Sequence, residues 1–273
     1  MKADRMDGLK EKYDHLTDIL KSYGSVTIAF SGGVDSTFLL AAARDALGDA
    51  AAAVTVHSRS VSRREREEAR EFCESRGIPQ IRVEVDELTI PGFAENPPDR
   101  CYICKKQLFT SMGEAARAAG FSVLAEGSNL DDMGDYRPGL RALTELGIKS
   151  PLREAGLTKA DIRALSKQMD LPTWAKPSFA CLSTRIPYGD TITAEKLDMI
   201  GEAEALLFSL GFAQVRVRLH GKMARIEVLP EDIERLAQKE TREQVVRGLK
   251  EAGFTYVSLD LQGFRSGSLN ETL

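Results

Sequence analysis

The chain has 273 residues, 42% of them hydrophobic and 29% charged, a composition that supports a packed core and excludes a disordered polymer. Lysine plus arginine number 37 against 41 aspartate plus glutamate, a net charge of −4, so a global basic field for gripping long nucleic acid is missing and only a local basic groove stays open. Apolar stretches such as 38–43 fall far short of the ~20 residues of a membrane span, and the opening MKADRMDGLKEKYDHL has no apolar leader core; a cytoplasmic protein with no membrane partner is expected.

In chain order, residues 7–22 place Leu9, Tyr13, Leu16, Ile19 and Leu20 on one face at helical spacing. SVTIAF (25–30) reads as a strand, SGGVDS as a glycine-rich turn, and 36–47 as a helix. AAVTVHS (52–58) is a second buried strand, and SRREREEAREFCESRG (62–77) a charged amphipathic helix with i,i+4 pairs, its Cys73 on the apolar side. IRVEVDE (81–87) gives a third strand, 102–119 a helix and FSVLAEG (121–127) a fourth strand. Strands alternating with helices predict an α/β fold with a doubly wound parallel sheet, whose first βα turn is the place for a ligand. Segment 129–157 reads as loop-rich, 157–170 as a helix, and 171–190 as a long loop with three prolines, a length that points to function. A second, smaller α+β unit follows, with helix 193–210, an alternating hairpin of strands 213–219 and 224–229, a broken helix 230–252 and strand 255–261. The domain boundary is placed at 188, giving 1–188 and 189–273.

Ser31-Gly32-Gly33-Val34-Asp35-Ser36 lies between a strand and a helix. Its glycines let the backbone turn sharply so that amides at the helix start face one anion, and Ser31 and Ser36 add hydroxyl donors. It is neither a Walker loop nor a GxGxxG fingerprint. Asp35 beside phosphates calls for a bridging Mg²⁺. The loop resembles the pyrophosphatase loop (PP-loop) of the enzymes that cleave ATP to AMP and PPi while adenylating a carboxyl or carbonyl oxygen. Gly127-Ser128-Asn129-Leu130-Asp131-Asp132 is similar to that superfamily's second element, which holds the α-phosphate.

Two further motifs choose the branch. Asn96-Pro97-Pro98-Asp99-Arg100-Cys101-Tyr102-Ile103-Cys104-Lys105-Lys106 and Pro177-Ser178-Phe179-Ala180-Cys181-Leu182-Ser183-Thr184-Arg185-Ile186-Pro187-Tyr188-Gly189 resemble the LarE-type ATP-dependent sulfur transferases. These help build the nickel-pincer nucleotide cofactor of lactate racemase. Val215–Gly221 and Ala224–Glu227 extend the likeness into the second unit, so that it spans roughly 25–260.

The resemblance implies that ATP adenylates a carboxylate of a pyridinium dicarboxylate mononucleotide. A cysteine thiolate then displaces AMP, and cleavage of its own C–S bond leaves a thiocarboxylate. The matching cysteine is Cys181, with Lys176 and Arg185 nearby in sequence as cations that favour a thiolate. Cys101-x-x-Cys104 has metal-like spacing and with Cys181 supplies three thiolates, which leave one iron of a [4Fe–4S] cluster open to carry sulfur from sulfide or another donor. A Zn²⁺ site, which wants a fourth ligand, and a redox CxxC with a separate Cys181 stand beside that reading. A disulfide framework is not expected in a cytosolic chain.

Arg216 and Arg218 share one face of their strand and are candidates, with Arg185 and Lys105, for substrate phosphate or carboxylate; the plain alternative is a solvated face. Lys105 and Lys106 start a helix, where cations are unfavourable without an anion. Glu204 is read either as orienting the arginines or as a surface residue, and His57 and Ser58 end the second strand beside the superfamily's adenine position. Self-assembly into a homo-oligomer is also implied. The rivals are a PP-loop tRNA thiolase, disfavoured by the acidic pI of about 5.6, an amide-forming synthetase, for which no glutaminase domain fits, and a nucleotide-sensing module without turnover.

Overall fold

The computed structural model describes residues 2–134, 138–177, 179–265 and 267–269; Ser178 of the second cysteine motif lies outside them. The chain divides into two compact units, one of residues 1–58, 63–85 and 101–179, the other of residues 59–62, 86–100 and 180–273.

In the first unit, helix α1 (Lys2–Ser22) turns Leu9, Leu16 and Leu20 into the core. Strand β1 (Val26–Ala29), helix α2 (Val34–Leu47), strand β2 (Ala51–His57), helix α3 (Arg63–Ser75) and strand β3 (Gln80–Glu84) follow as two βαβ turns. Helix α4 (Arg100–Ala118) and strand β4 (Leu124–Ala125) complete a four-stranded sheet in the order β3-β2-β1-β4. All three pairings are parallel. Alternate residues serve opposite faces: Ile28 and Ala53 pack with α1, α2 and α3, whereas Val54 and Leu124 pack with Phe109 and Met112 of α4. Helices therefore cover both faces, as all-parallel sheets require. Phe38, Leu39 and Leu40 of α2 are wholly buried, each contributing about 1.5–3 kcal/mol.

The segment expected to be loop-rich contains two short helices, α5 (Pro138–Glu145) and α6 (Pro151–Glu154). Each opens on a proline, whose fixed φ suits the first turn, but at 8 and 4 residues neither is long enough to show a helical period. Helix α7 (Lys159–Gln168) follows with a full capping box, Thr158 accepting from the Asp161 amide and Asp161 from the Thr158 amide.

The second unit holds helix α8 (Ala194–Ser209), strands β5 (Val215–His220) and β6 (Met223–Val228), helices α9 (Ile233–Ala237) and α10 (Lys239–Glu251), and strand β7 (Tyr256–Leu259). β5 and β6 form the expected antiparallel hairpin, and β7 joins β6 in parallel. β5 departs from simple alternation: Val215 through Leu219 are all buried, including the arginines. No helix among the described residues is long and apolar enough to cross a membrane.

Candidate active site

The strand order reverses between β1 and β4, and both phosphate elements leave the carboxyl ends of these two neighbours, the topological switch point where open α/β sheets bind ligands. Gly32 sits at φ 71°, a left-handed conformation that other residues adopt only with strain. Gly33 caps α2 with no side-chain acceptor, so the first-turn amides are left for an anion. The Ser31 and Ser36 hydroxyls lie 3.2 Å apart, and Ser36 Oγ accepts from the Ser31 amide at 3.3 Å. Asp35 Oδ2 pairs with Lys159 Nζ at 2.5 Å, while Oδ1 is buried without a partner. That orphaned carboxylate oxygen is a hard donor of the kind Mg²⁺ takes.

Gly127 lies directly against this loop: a Cβ there would come within 3.1 Å of the Ser36 amide nitrogen and 3.2 Å of the Asp35 Cβ. The two phosphate elements thus touch through a position where any side chain would push them apart. Buried Glu126 accepts from the Ser128 amide and hydroxyl at 2.9 and 2.7 Å and from the Ser150 hydroxyl at 2.6 Å. Asp131 accepts from the Lys159 amide at 2.8 Å. Lys159 is thereby held by both elements, its side chain by Asp35 and its backbone by Asp131. Sequence reasoning missed Lys159 and Glu126. The signal for Lys159 was available, a cation in the first turn of a helix where the dipole disfavours it. At the end of β2, His57 Nδ1 lies 3.1 Å from Glu84 Oε1, and Ser58 is buried.

Lys176, expected as a cation near Cys181 in sequence, donates through its Nζ to the Gly32 carbonyl at 2.7 Å and to Glu68 Oε2 at 2.6 Å. The same stretch is tied down by Arg163, which donates to the Trp174 and Lys176 carbonyls at 2.7 and 2.9 Å. The charged helix α3 carries the expected pairs Arg63–Glu67, Arg64–Glu68 and Arg70–Glu74. Cys73 is core, its thiol pushed up to about 12 chiefly by burial.

α4 opens on Arg100 and carries Cys101 and Cys104 one turn apart, both half-buried and reduced. Its first turn holds no acid, and Lys105 and Lys106 follow close behind the two cysteines. Lys105 is half-buried with its methylene stem against the backbone of Gly139, and exposed Lys106 pairs with Glu145 at 3.1 Å.

In the second unit, Cys181 is exposed and precedes the 3₁₀ turn Leu182–Arg185. Arg185 braces that turn: its Nη1 donates to the carbonyls of Ala180 and Cys181 at 2.8 and 3.1 Å, and its Nε and Nη2 form a fork on Glu204 at 2.8 and 2.9 Å. Glu204 also accepts from the Val217 amide at 2.9 Å, so it orients Arg185 and is no surface residue. Arg218 makes a second fork on Glu227, both bonds 3.0 Å, with Nη2 also on Ser268 and Nη1 on the Thr184 carbonyl. Arg216 Nη1 donates to the Val215 carbonyl at 2.8 Å, and its guanidinium lies 5.1 Å from the Phe264 ring centroid.

Arg185, Arg216 and Arg218 are 1, 4 and 5% exposed, and Glu204 and Glu227 4 and 0%, which removes the solvated-face reading. Among the described residues three buried arginines thus lie with two buried glutamates. Burial, reinforced by Arg185, pushes the Arg216 guanidinium down to about 10. Ser183 is wholly buried, its hydroxyl 2.6 Å from that of Ser60, whose amide is held by buried Glu87 at 2.5 Å. Arg100 binds Asn96 and the Ser183 carbonyl. Glu87, Glu227 and Asn96 escaped sequence reasoning as structural partners because each meets its partner through the fold.

Among the described residues no group of three or more His, Cys, Asp and Glu side chains lies in a metal-holding arrangement. In donor chemistry Cys101 and Cys104, two sulfur ligands on one helix turn, are of the soft kind that iron–sulfur clusters and zinc both take.

The NAD synthase family pattern matches residues 9–97. An uncharacterised protein of Synechocystis is 41% identical over 265 residues, covering 97% of this chain and 99% of its own. The pyridinium-3,5-bisthiocarboxylic acid mononucleotide synthase of Lactiplantibacillus plantarum is 40% identical over 270 residues, 98% of this chain and 97% of its own. A glutamine-hydrolysing GMP synthase of Brucella ovis is 27% identical over 210 residues, 67% of this chain and 39% of its own. With the nearly full-length likeness to the mononucleotide synthase added to the paired phosphate elements, the chain belongs to the LarE-type ATP-dependent sulfur transferases, enzymes built on a PP-loop domain.

Proposed function

We propose that this chain adenylates a carboxylate of a pyridinium-3,5-dicarboxylate mononucleotide with ATP, releasing PPi, and then exchanges AMP for sulfur to give a thiocarboxylate. The observation that carries the reading is the contact of Gly127 with Asp35 and Ser36 at the switch point, which supports one continuous cradle for the ATP phosphates. Ser31, Gly32, Gly33, Ser36 and Gly127 bind them, and Asp35 holds the Mg²⁺ that screens their charge. Arg216 and Arg218, with Lys105, take the phosphate or carboxylates of the substrate, groups that guanidinium and ammonium donors bind well. Arg185 contributes from its place on the Cys181 turn.

Cys101, Cys104 and Cys181 are the proposed ligands of a [4Fe–4S] cluster, which when bound supplies an iron free of protein ligands and so a place for exogenous sulfide. If no cluster is held, Cys181 itself attacks the adenylate. Its sulfur forms a thioester as AMP leaves, and β-elimination of its Cβ–S bond then gives thiocarboxylate and dehydroalanine. Further parts of the proposal are a cytoplasmic, self-associating protein, a PP-loop domain of residues 1–188 with an α+β domain of residues 189–273, and a small-molecule rather than a nucleic-acid substrate.

Anaerobic purification with iron and sulfide assays, then turnover with ATP, sulfide and the dicarboxylate nucleotide, tests this reading. Iron and sulfide near about four each per chain, lost in Cys101→Ala, with multiple turnovers, support the cluster. Iron-free protein that stops after one turnover with dehydroalanine at Cys181 assigns the sulfur to that cysteine. No ATP-dependent thiocarboxylate under either condition overturns the function.

A further inference from the structure

A loop containing two successive glycines has a wide choice of conformations, so an external contact is needed to fix it in a form that binds phosphate. Lys176 supplies one. Its Nζ lies 2.7 Å from the Gly32 carbonyl oxygen and 2.6 Å from Glu68 Oε2, and its side chain is only 12% exposed. In a trans peptide the carbonyl and the following N–H point in opposite directions. Holding the Gly32 carbonyl on the Lys176 side therefore turns the Gly33 N–H away from it. Gly33 is the N-cap of α2, and its amide donates to the Ser31 hydroxyl at 3.4 Å, so the hold on the Gly32 carbonyl also sets the turn from Ser31 into the helix start, whose next amides face an anion.

The lysine is itself held. Burial pulls the Glu68 carboxyl upward, but bonds from Lys176 and Arg64 outweigh it and keep Glu68 below the ordinary carboxylate range. Arg163 fixes the backbone from which Lys176 reaches, through the carbonyls of Trp174 and Lys176. The next residues of the chain lead to Cys181, five positions on.

We propose that Lys176 is a positioning residue for ATP, holding the Gly32–Gly33 peptide, and through its amide the Ser31 hydroxyl, in the form that binds the phosphates, and fixing to that loop the stretch of chain that leads on to Cys181. This rests on the reading that ATP binds at Ser31–Ser36. A residue that merely stabilised the first unit would lower the melting temperature without changing nucleotide affinity.

The test uses the full chain with a non-hydrolysable ATP analogue and Mg²⁺, followed by calorimetry, alongside PPi release and thermal melts. Lys176→Met is expected to weaken analogue binding about tenfold and to raise the KM for ATP alike with kcat changed less, whereas Lys176→Arg, which reaches both partners, stays within about threefold of the parent. Glu68→Gln, which loosens the lysine, weakens binding about threefold. A folded Lys176→Met variant with parental affinity overturns the proposal. If that variant does not fold, Glu68→Gln decides in the same way, parental affinity again overturning it. A parent chain that binds no analogue overturns the ATP reading with it, and binding by the parent that Lys176→Met leaves unaltered overturns the positioning role alone.

Discussion

The proposed nucleotide site of the first unit is made mostly of backbone, while the charged cluster of the second is made of side chains. In the first, a run of six residues and one glycine after β4 bring amides and hydroxyls together, and the close approach of Gly127 to Ser36 does the assembly. In the second, Arg185, Glu204, Arg216, Arg218, Arg225 and Glu227 come from a turn, a helix and two strands; Arg185 and Arg218 are buried in forks on Glu204 and Glu227, and half-buried Arg225 adds a bond to Glu227. A backbone site tolerates substitution wherever no Cβ intrudes. A buried charge network tolerates almost none, because each removed partner strands another charge in a medium that cannot solvate it.

The comparison breaks most readily at Glu227. Both Arg218 bonds and one from Arg225 end on this wholly buried carboxylate, so Glu227→Ala is expected to cost about 3–5 kcal/mol. Denaturant unfolding monitored on the second unit checks it, and a loss under about 1 kcal/mol would mean that the network is solvated after all. Gly127→Ala comes next. Its effect should appear as function more than stability: about 1–3 kcal/mol of destabilisation from overpacking, but a fall of about a hundredfold in kcat/KM for ATP. Steady-state PPi release gives the second number, and equal kinetics in the variant would show that the two phosphate elements act separately.

Asp35→Asn addresses the same site through its proposed Mg²⁺ ligand. Loss of the negative charge is expected to raise the Mg²⁺ concentration needed for half-maximal PPi release about tenfold, and a magnesium titration of variant and parent measures it. The smallest effect is expected at His220 in the second unit, whose pKa is lowered by burial and by Arg225. Its folded value lies below the unfolded one, so the unfolded chain binds the proton more readily. Stability is therefore full above the ordinary histidine value of about 6.5 and is lost as pH falls from there through the folded value. His220→Gln should flatten that part of the pH–melting profile.

Much of the first unit was legible because its information is local. A strand, SGGVDS and a helix follow one another within 25–47, and apolar spacing marks α1 through α4. The two helices of 138–154 were hidden by their shortness, since eight and four residues cannot display a 3.6-residue period. The inclusion of 59–62 and 86–100 in the second unit was equally hidden, because it depends on bonds such as Ser60–Ser183 and Asn96 to the Pro187 carbonyl, which join residues some ninety or more apart. For the candidate site, the cysteine motifs and the arginine pair were visible as residue types at definite spacing. Their partners were not. Alternation on β5 predicts one wet face only if the hairpin has one, and α8, packed on β5 with Glu204 turned inward, supplies buried carboxylate where water was expected.

Everything proposed for this chain turns on ATP cleavage being tied to conversion of a carboxylate to a thiocarboxylate. That coupling is tested most directly by following PPi, AMP and the nucleotide product together, with MgATP, sulfide and pyridinium-3,5-dicarboxylate mononucleotide. The expected result is PPi release that depends on the dicarboxylate and one AMP for each sulfur found in the product by mass spectrometry. PPi release that ignores the dicarboxylate, or AMP formed without sulfur entering the nucleotide, would contradict it.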